Sequence, residues 1–175
     1  MRTPHNHAFL STVYACGLRL QEAQDLEVSD IDSQRMMVPV HRGKGAKDRF
    51  VPLPHATLAI LRTHWRSHRH PCLLCPARGR NGRSAVTATT PMAKSRVQGA
   101  FRHAKRAAGI GKRGVSVHTL RHGYATHLLE AGVNPHVIQR YMGHASLEST
   151  MLYLHLTHKG TEDAYALIDR VMEGL

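Results

Sequence analysis

The chain is short of acidic residues, cysteine and long apolar runs. Of its 175 residues only 12 are Asp or Glu, against 24 Lys or Arg, which leaves a formal charge of +12 with 15 histidines counted neutral. Three cysteines, an odd count, exclude a disulfide framework and favour a reducing, cytosolic compartment. No apolar stretch approaches the roughly 20 residues that span a bilayer, so no membrane partner is expected. The first residues, Met1 to His7, are polar and lack the apolar centre of a secretory signal. Internal repeats and low-complexity tracts are also missing. What is present is enough apolar material for a core, 42% of residues, and a mean hydropathy of −0.34 that argues against wholesale disorder. At this length one domain over 1–175 is the expectation. A pI near 10.4 makes a polyanion the natural partner.

Periodicity divides the chain into mostly helical pieces. Residues 8–16 carry Phe9, Leu10, Val13 and Tyr14 at helical spacing, and 18–26 resume it beyond Gly17. Residues 35–41 and 48–53 read as two short strands around a glycine-rich turn, 43–47. Pro54 suits the first position of a helix reaching about His68. An irregular stretch follows over 70–90, then a helix over 91–108 and a loop over 111–114. Further helices are expected over 118–131, from Pro135 to Met142 with Asn134 as its cap, from Ser146 to about His155, and over 162–172. The fold class is mainly α with a small antiparallel β-sheet.

Several polar residues sit where chemistry is possible. Arg19 falls between two helical segments, and Lys44 lies in the turn between Gly43 and Gly45, where a backbone can approach a ligand closely. His118 and Arg121 are three apart on one helix, so imidazole and guanidinium share a face. His144 follows Gly143 at a helix end, and Tyr153 comes nine residues later. Singly, each has an ordinary structural reading.

In this order and spacing the set resembles the active site of the tyrosine recombinase (phage integrase) family. The words around it match too: TVYACGLRLQE over 12–22, GKGAKDRFVPL over 43–53, HTLRHGYATHL over 118–128 and VIQRYMGHAS over 137–146. The resemblance implies a DNA breaking-rejoining catalytic domain that performs site-specific recombination through a 3′-phosphotyrosyl intermediate, as an integrase, transposase or resolvase. Tyr153 is then the nucleophile, Arg19 and Arg121 clamp the phosphate, Lys44 is the general acid, His118 an acid/base and His144 a hydrogen-bond donor to phosphate. The chemistry agrees. A tyrosine hydroxyl of pKa about 10 needs positive charge nearby, and guanidiniums grip phosphoryl oxygens in a bidentate way that lysine does not. No carboxylate cluster beside these motifs suits two-metal catalysis, so no cofactor or metal is expected.

The resemblance also implies double-stranded DNA as partner, a homo-oligomer, usually a tetramer, acting on two duplexes, and a DNA-associated place in the cytoplasm. In this family a final helix often docks on a neighbouring subunit, and residues 165–175 are the candidate for it, with an ordinary core-packing helix as the equal alternative. Family members carry an N-terminal clamp domain, for which the 18 residues before Arg19 leave no room. Two other readings stand beside this one, a type IB topoisomerase that relaxes DNA and a catalytically silent DNA-binding remnant. Lys47, Arg96, Arg102, Lys105 and Arg106 are candidate DNA contacts. Cys72 and Cys75, a CxxC after His64, His68 and His70, have a zinc reading and a simpler one as core thiols, while Cys16 belongs to the core. His64, His68, His70, His155 and His158 are expected on solvated faces, where proton uptake would strengthen polyanion binding below pH about 6.5.

Overall fold

The computed structural model describes residues 3–41, 48–79, 85–151 and 153. It resolves into two compact units, Met1–Tyr124 and Ala125–Leu175. In the first, helix α1 (Pro4–Ala15) begins earlier than the periodicity suggests, because Thr3 caps it and Pro4 takes the first position, where its missing N–H costs nothing. α1 packs against α2 (Leu20–Asp25), α3 (His55–Arg66) and α4 (Lys94–Ala107). Ala8, Phe9, Val13, Cys16 and Leu18, all at most 1% exposed, form the centre of that packing.

Gly17 turns the chain between α1 and α2. Its φ is +59°, and a Cβ there would stand 2.4 Å from the Tyr124 ring, so both backbone and space demand glycine. Arg19 is the N-cap of α2, outside the helix that the sequence places over 18–26. After a 3-10 turn (Val28–Asp30), strands β1 (Met37–Val40) and β2 (Arg49–Pro52) pair antiparallel with Val38 opposite Val51 and Val40 opposite Arg49. Alternation sends Val38, Val40, Arg49 and Val51 inward and leaves Phe50 57% exposed. The turn between the strands, with Lys44 and Lys47, lies outside the described residues.

Pro54 is the N-cap of α3, not its first helical residue; its ψ of 143° is extended. α4 starts at Lys94, not at Pro91, because Pro91 is used in a bridge to Pro76. The irregular segment before it is held by backbone bonds: Val28 N donates to Cys72 O at 2.7 Å, Leu74 N to Leu26 O at 3.1 Å, and Met92 N to Cys75 O at 2.9 Å.

Three histidines expected in solvent are buried instead: His64 is 2%, His68 7% and His70 6% exposed. The α1–α3 packing brings the His5 ring within hydrogen-bond reach of His64, Nδ1 to Nε2 at 3.2 Å. His68 Nδ1 accepts the His70 N–H at 3.0 Å. His70 organises the next turn, its Nδ1 accepting from Cys72 N at 3.1 Å and Leu73 N at 2.8 Å while Nε2 donates to Ala88 O at 2.8 Å. Burial, then neighbouring positive groups, pushes His5 down to about 3 and His64 down to about 4, and lowers His68. Proton uptake by His64 and His68 near pH 6.5 is therefore disfavoured, and they do not supply the expected pH-dependent attraction. His155 and His158 lie outside the described residues.

Helix α5 (Val117–Glu130) runs from the first unit into the second, where α6 (Pro135–Met142) packs on the short α7 (Glu148–Met151). Asn134 caps α6 by accepting the His136 N–H, and Gly143, at φ +59°, ends it. The helix expected from Ser146 begins two residues later and stops, within the described residues, at Met151. Tyr153 thus sits in the turn after α7. The helix expected over 162–172 lies outside the described residues. No described helix is long and apolar enough to cross a membrane.

Candidate active site

Glu22 is the hub of the first unit's polar centre. It lies one turn into α2, where its carboxylate reaches back to the Arg19 N–H at 2.7 Å. The Arg19 Nη1 donates to Oε1 at 2.7 Å, and Arg49, from the inward face of β2, donates to both oxygens at 2.9 and 2.7 Å. Arg121 Nη1 stands 3.9 Å from Oε2 and donates to Gly17 O at 2.5 Å. Burial alone would raise the Glu22 pKa, but the hydrogen bonds and charge of Arg49 and Arg19 outweigh it and hold the carboxyl at about 2. Arg121 is 2% exposed, while the Arg19 side chain keeps 29% of its surface open.

His118 is exposed on the first turn of α5, and its ring meets that of His122 edge to face, centroids 4.7 Å apart. Burial, then the charges of Arg121 and Arg19, lowers the His118 pKa, so the ring is neutral near pH 7 and able to take a proton. His122 is lowered by burial, then by His118 and Arg121.

In the second unit, the His144 Nδ1 and the Thr150 hydroxyl are 2.9 Å apart, which fixes the imidazole. The His144 and Tyr153 rings lie nearly parallel, 18° between planes and 6.3 Å between centroids. Tyr153 is 7% exposed, and its N–H donates to Thr150 O at 3.1 Å.

The structure therefore gathers Arg19, Arg121 and His118 in the first unit and pairs His144 with Tyr153 in the second. Sequence reasoning assigned no role to Glu22, Arg49 or His122. Glu22 was legible as the N3 residue after Arg19, and Arg49 as a charge at an inward position of the strand that carries Val51. Along α4, Arg102 and Arg106 are exposed, Arg96 is exposed and donates to Arg78 O at 2.7 Å, and Lys105 is half-buried with its ammonium on Lys112 O. Among the described residues nothing gathers metal ligands around Cys72 and Cys75. Cys72 is exposed, burial pushes the Cys75 thiol up to about 12, and both His70 nitrogens are taken by backbone. Among the described residues no group of three or more His, Cys, Asp or Glu stands where it could hold a metal. Cys16 is a core residue at 0% exposure.

A half-open arginine and a buried arginine thus converge on one carboxylate, with the His118 imidazole in reach of their charge, an arrangement able to grip an anion. The chain belongs to the phage integrase family, whose model matches residues 2–159. It is 42% identical to a putative integrase/recombinase of Sinorhizobium fredii over 94% of this chain and 52% of that protein. It is 34% identical to the tyrosine recombinase XerA of Pyrococcus furiosus over 87% of this chain and 50% of that protein. The crystal structure of XerA recombinase superposes with a TM-score of 0.75 at 27% identity, covering 94% of this chain and 57% of that one. The chain thus spans about half the length of these curated relatives.

Proposed function

We propose that residues 1–175 act as the catalytic domain of a site-specific tyrosine recombinase. The observation that carries this reading is the convergence of Arg19 and Arg121 on Glu22, with His118 on the same helix as Arg121, in a chain of the phage integrase family. Two guanidiniums so held offer charge and directed N–H groups to the non-bridging oxygens of a phosphodiester.

The reaction is a transesterification. The Tyr153 oxygen attacks phosphorus as its proton passes to a base, a part suited to neutral His118. The P–O5′ bond breaks, and the departing oxygen takes a proton, from Lys44, to become a 5′-hydroxyl. A 3′-phosphotyrosyl link remains and preserves the bond energy, so a 5′-hydroxyl from another strand can reverse the step without ATP. His144 hydrogen-bonds a phosphoryl oxygen. Positioning and fixed charge supply the acceleration, and no metal or cofactor is assigned a part.

The substrate is double-stranded DNA, held through phosphate contacts from Arg96, Arg102, Lys105 and Arg106 on α4 and from Lys47, and the protein works as a homo-oligomer, a tetramer on two duplexes, in the DNA-associated cytoplasm. Five such contacts give a steep fall of affinity with salt.

The test is a trapped covalent adduct. Wild type and Tyr153→Phe are incubated with supercoiled plasmid at low salt and quenched with detergent. A protease-sensitive adduct on 3′ ends with wild type alone is the expected result, followed by exchange of strands between two duplexes, which relaxation by a topoisomerase does not give. An adduct that persists in Tyr153→Phe overturns the choice of nucleophile, and its absence from both overturns the activity.

A further inference from the structure

We propose that Arg49 is a positioning residue of the cleavage site: it occupies the Glu22 carboxylate so that Arg19 and Arg121 keep their charge for the scissile phosphate. The inference rests on the function proposed above. Its starting point is the strand register. Arg49 faces inward opposite Val40, beside Val51, a place where an alternating strand calls for an apolar side chain. Its side chain is 7% exposed, and a buried guanidinium requires a partner.

That partner is the hub of the anion site itself. Arg49 spans both Glu22 oxygens side by side, Nη1 to Oε1 at 2.9 Å and Nη2 to Oε2 at 2.7 Å. Arg19 Nη1 shares Oε1 at 2.7 Å, and Arg121 approaches Oε2 only to 3.9 Å. Among the described residues, three guanidiniums and one carboxylate leave 3 − 1 = +2 at this hub. A phosphodiester carries one negative charge, and the pentacoordinate transition state of its transesterification carries two on its non-bridging oxygens. The balance at the hub therefore matches the transition state better than the bound substrate, the condition for a rate effect rather than a binding effect.

Without Arg49 the balance falls to +1, and Glu22 turns its whole charge on Arg19 and Arg121. The carboxylate would then compete directly with phosphate for the clamp. Arg49 removes that competition without touching the substrate.

The test uses the full chain and two duplexes that differ only at the scissile position, one with the ordinary phosphate and one with a neutral methylphosphonate. Arg49→Gln should slow single-turnover cleavage about 30-fold on the phosphate and no more than about 3-fold on the methylphosphonate, because only the first needs the clamp's charge. Adding Glu22→Gln to Arg49→Gln should recover part of the loss on the phosphate, since the amide competes for the arginines with no charge. A second reading needs no turnover. The guanidinium resonances of Arg19 and Arg121, titrated with inorganic phosphate, should report an affinity about 5-fold weaker in Arg49→Gln. If that variant melts below the assay temperature, Arg49→Lys takes its place with a smaller loss, again confined to the charged substrate. Equal losses on the two duplexes, or no recovery in the double variant, overturn the proposal and leave Arg49 a packing residue. A wild type that forms no adduct while its phosphate affinity depends on Arg49 overturns the recombinase reading and keeps the positioning role.

Discussion

The first unit buries two polar clusters within one packing arrangement, and they keep opposite ionisation states. Around Glu22 the side-chain partners among the described residues are guanidiniums, and burial is outweighed by Arg49 and Arg19, so the carboxyl stays ionised down to about pH 2. Around His64 three imidazoles meet with no carboxylate among the groups that shift them, and burial prevails, so His5 and His64 stay neutral down to about 3 and 4. His68 shows the cost. Its Nδ1 accepts from His70, so its proton must sit on Nε2, which has no partner among the described residues. A buried polar group keeps its charge where a counter-charge with good geometry is built beside it, as at Glu22 and not, among the described residues, at His64.

The comparison breaks most visibly at Glu22. Glu22→Gln leaves Arg49 and Arg121 buried beside a neutral amide, and the loss of stability should be about 3–5 kcal/mol, read from urea unfolding at pH 7. The adduct yield should fall with it, as Arg19 loses the carboxylate that fixes it. A loss below about 1 kcal/mol would show that the arginines are not held by charge.

The clusters also separate by pH. His5 and His64 have folded-state values below the ordinary 6.5, so between about 6.5 and 4 the unfolded chain binds more protons than the folded one, and stability falls as pH falls. The two rings are coupled, and the loss from pH 6.5 to 4.5 should be about 2–3 kcal/mol. Glu22, lowered from 4.5 to about 2, contributes stability that is full above 4.5 and is lost only between 4.5 and 2. In His5→Phe/His64→Leu the slope between pH 6.5 and 4.5 should flatten while the Glu22 phase below 4.5 remains. A slope unchanged in that double variant would place its source elsewhere.

A smaller effect tests the link between α1 and the arginine clamp. Gly17→Ala puts a Cβ into the Tyr124 ring at a φ of +59°, and the two penalties together should cost about 2–3 kcal/mol. Gly17 O also receives Arg121 Nη1, so a shifted turn should lower adduct yield more than the loss of stability accounts for. Equal yields per folded molecule would separate the turn from the site.

Much of this was legible in the sequence because it rests on local chemistry. Helical periodicity gave α3, α5 and α6 to within a few residues, and the Asn134 and Gly143 signals mark the two ends of α6 as they stand. Spacing and family words made Arg19, His118, Arg121 and His144 candidates, and the structure brings the first three together in one unit. The histidine cluster was not legible. His64 and His68 share a helix with exposed Arg62 and Arg66, and nothing local tells that the N-terminal His5 returns to cover them, a contact across 59 residues. Glu22 and Arg49 escaped for the same reason, because a contact across 27 residues converts a surface-looking pair into a buried one. The start of α4 was missed because Pro91, a helix opener by its own chemistry, is used in a bridge to Pro76.

The smallest expected effect isolates that long-range part. Arg49 and Phe50 are neighbours on β2, and composition alone would put the phenyl inside and the guanidinium outside. Register reverses them, with Phe50 57% exposed opposite Pro39 and Arg49 turned to Glu22. Phe50→Thr should therefore change stability by less than about 0.5 kcal/mol, since a β-branched polar residue suits an exposed strand position and little apolar surface is uncovered. Arg49→Gln, one residue away, leaves Glu22 short of its bidentate partner, and urea unfolding of the two variants side by side should show the charged residue as the structural one. A Phe50→Thr loss that matched the Arg49→Gln loss would mean that the outward face of β2 is covered, and that the sheet's apolar side, not the Glu22 hub, anchors the strand.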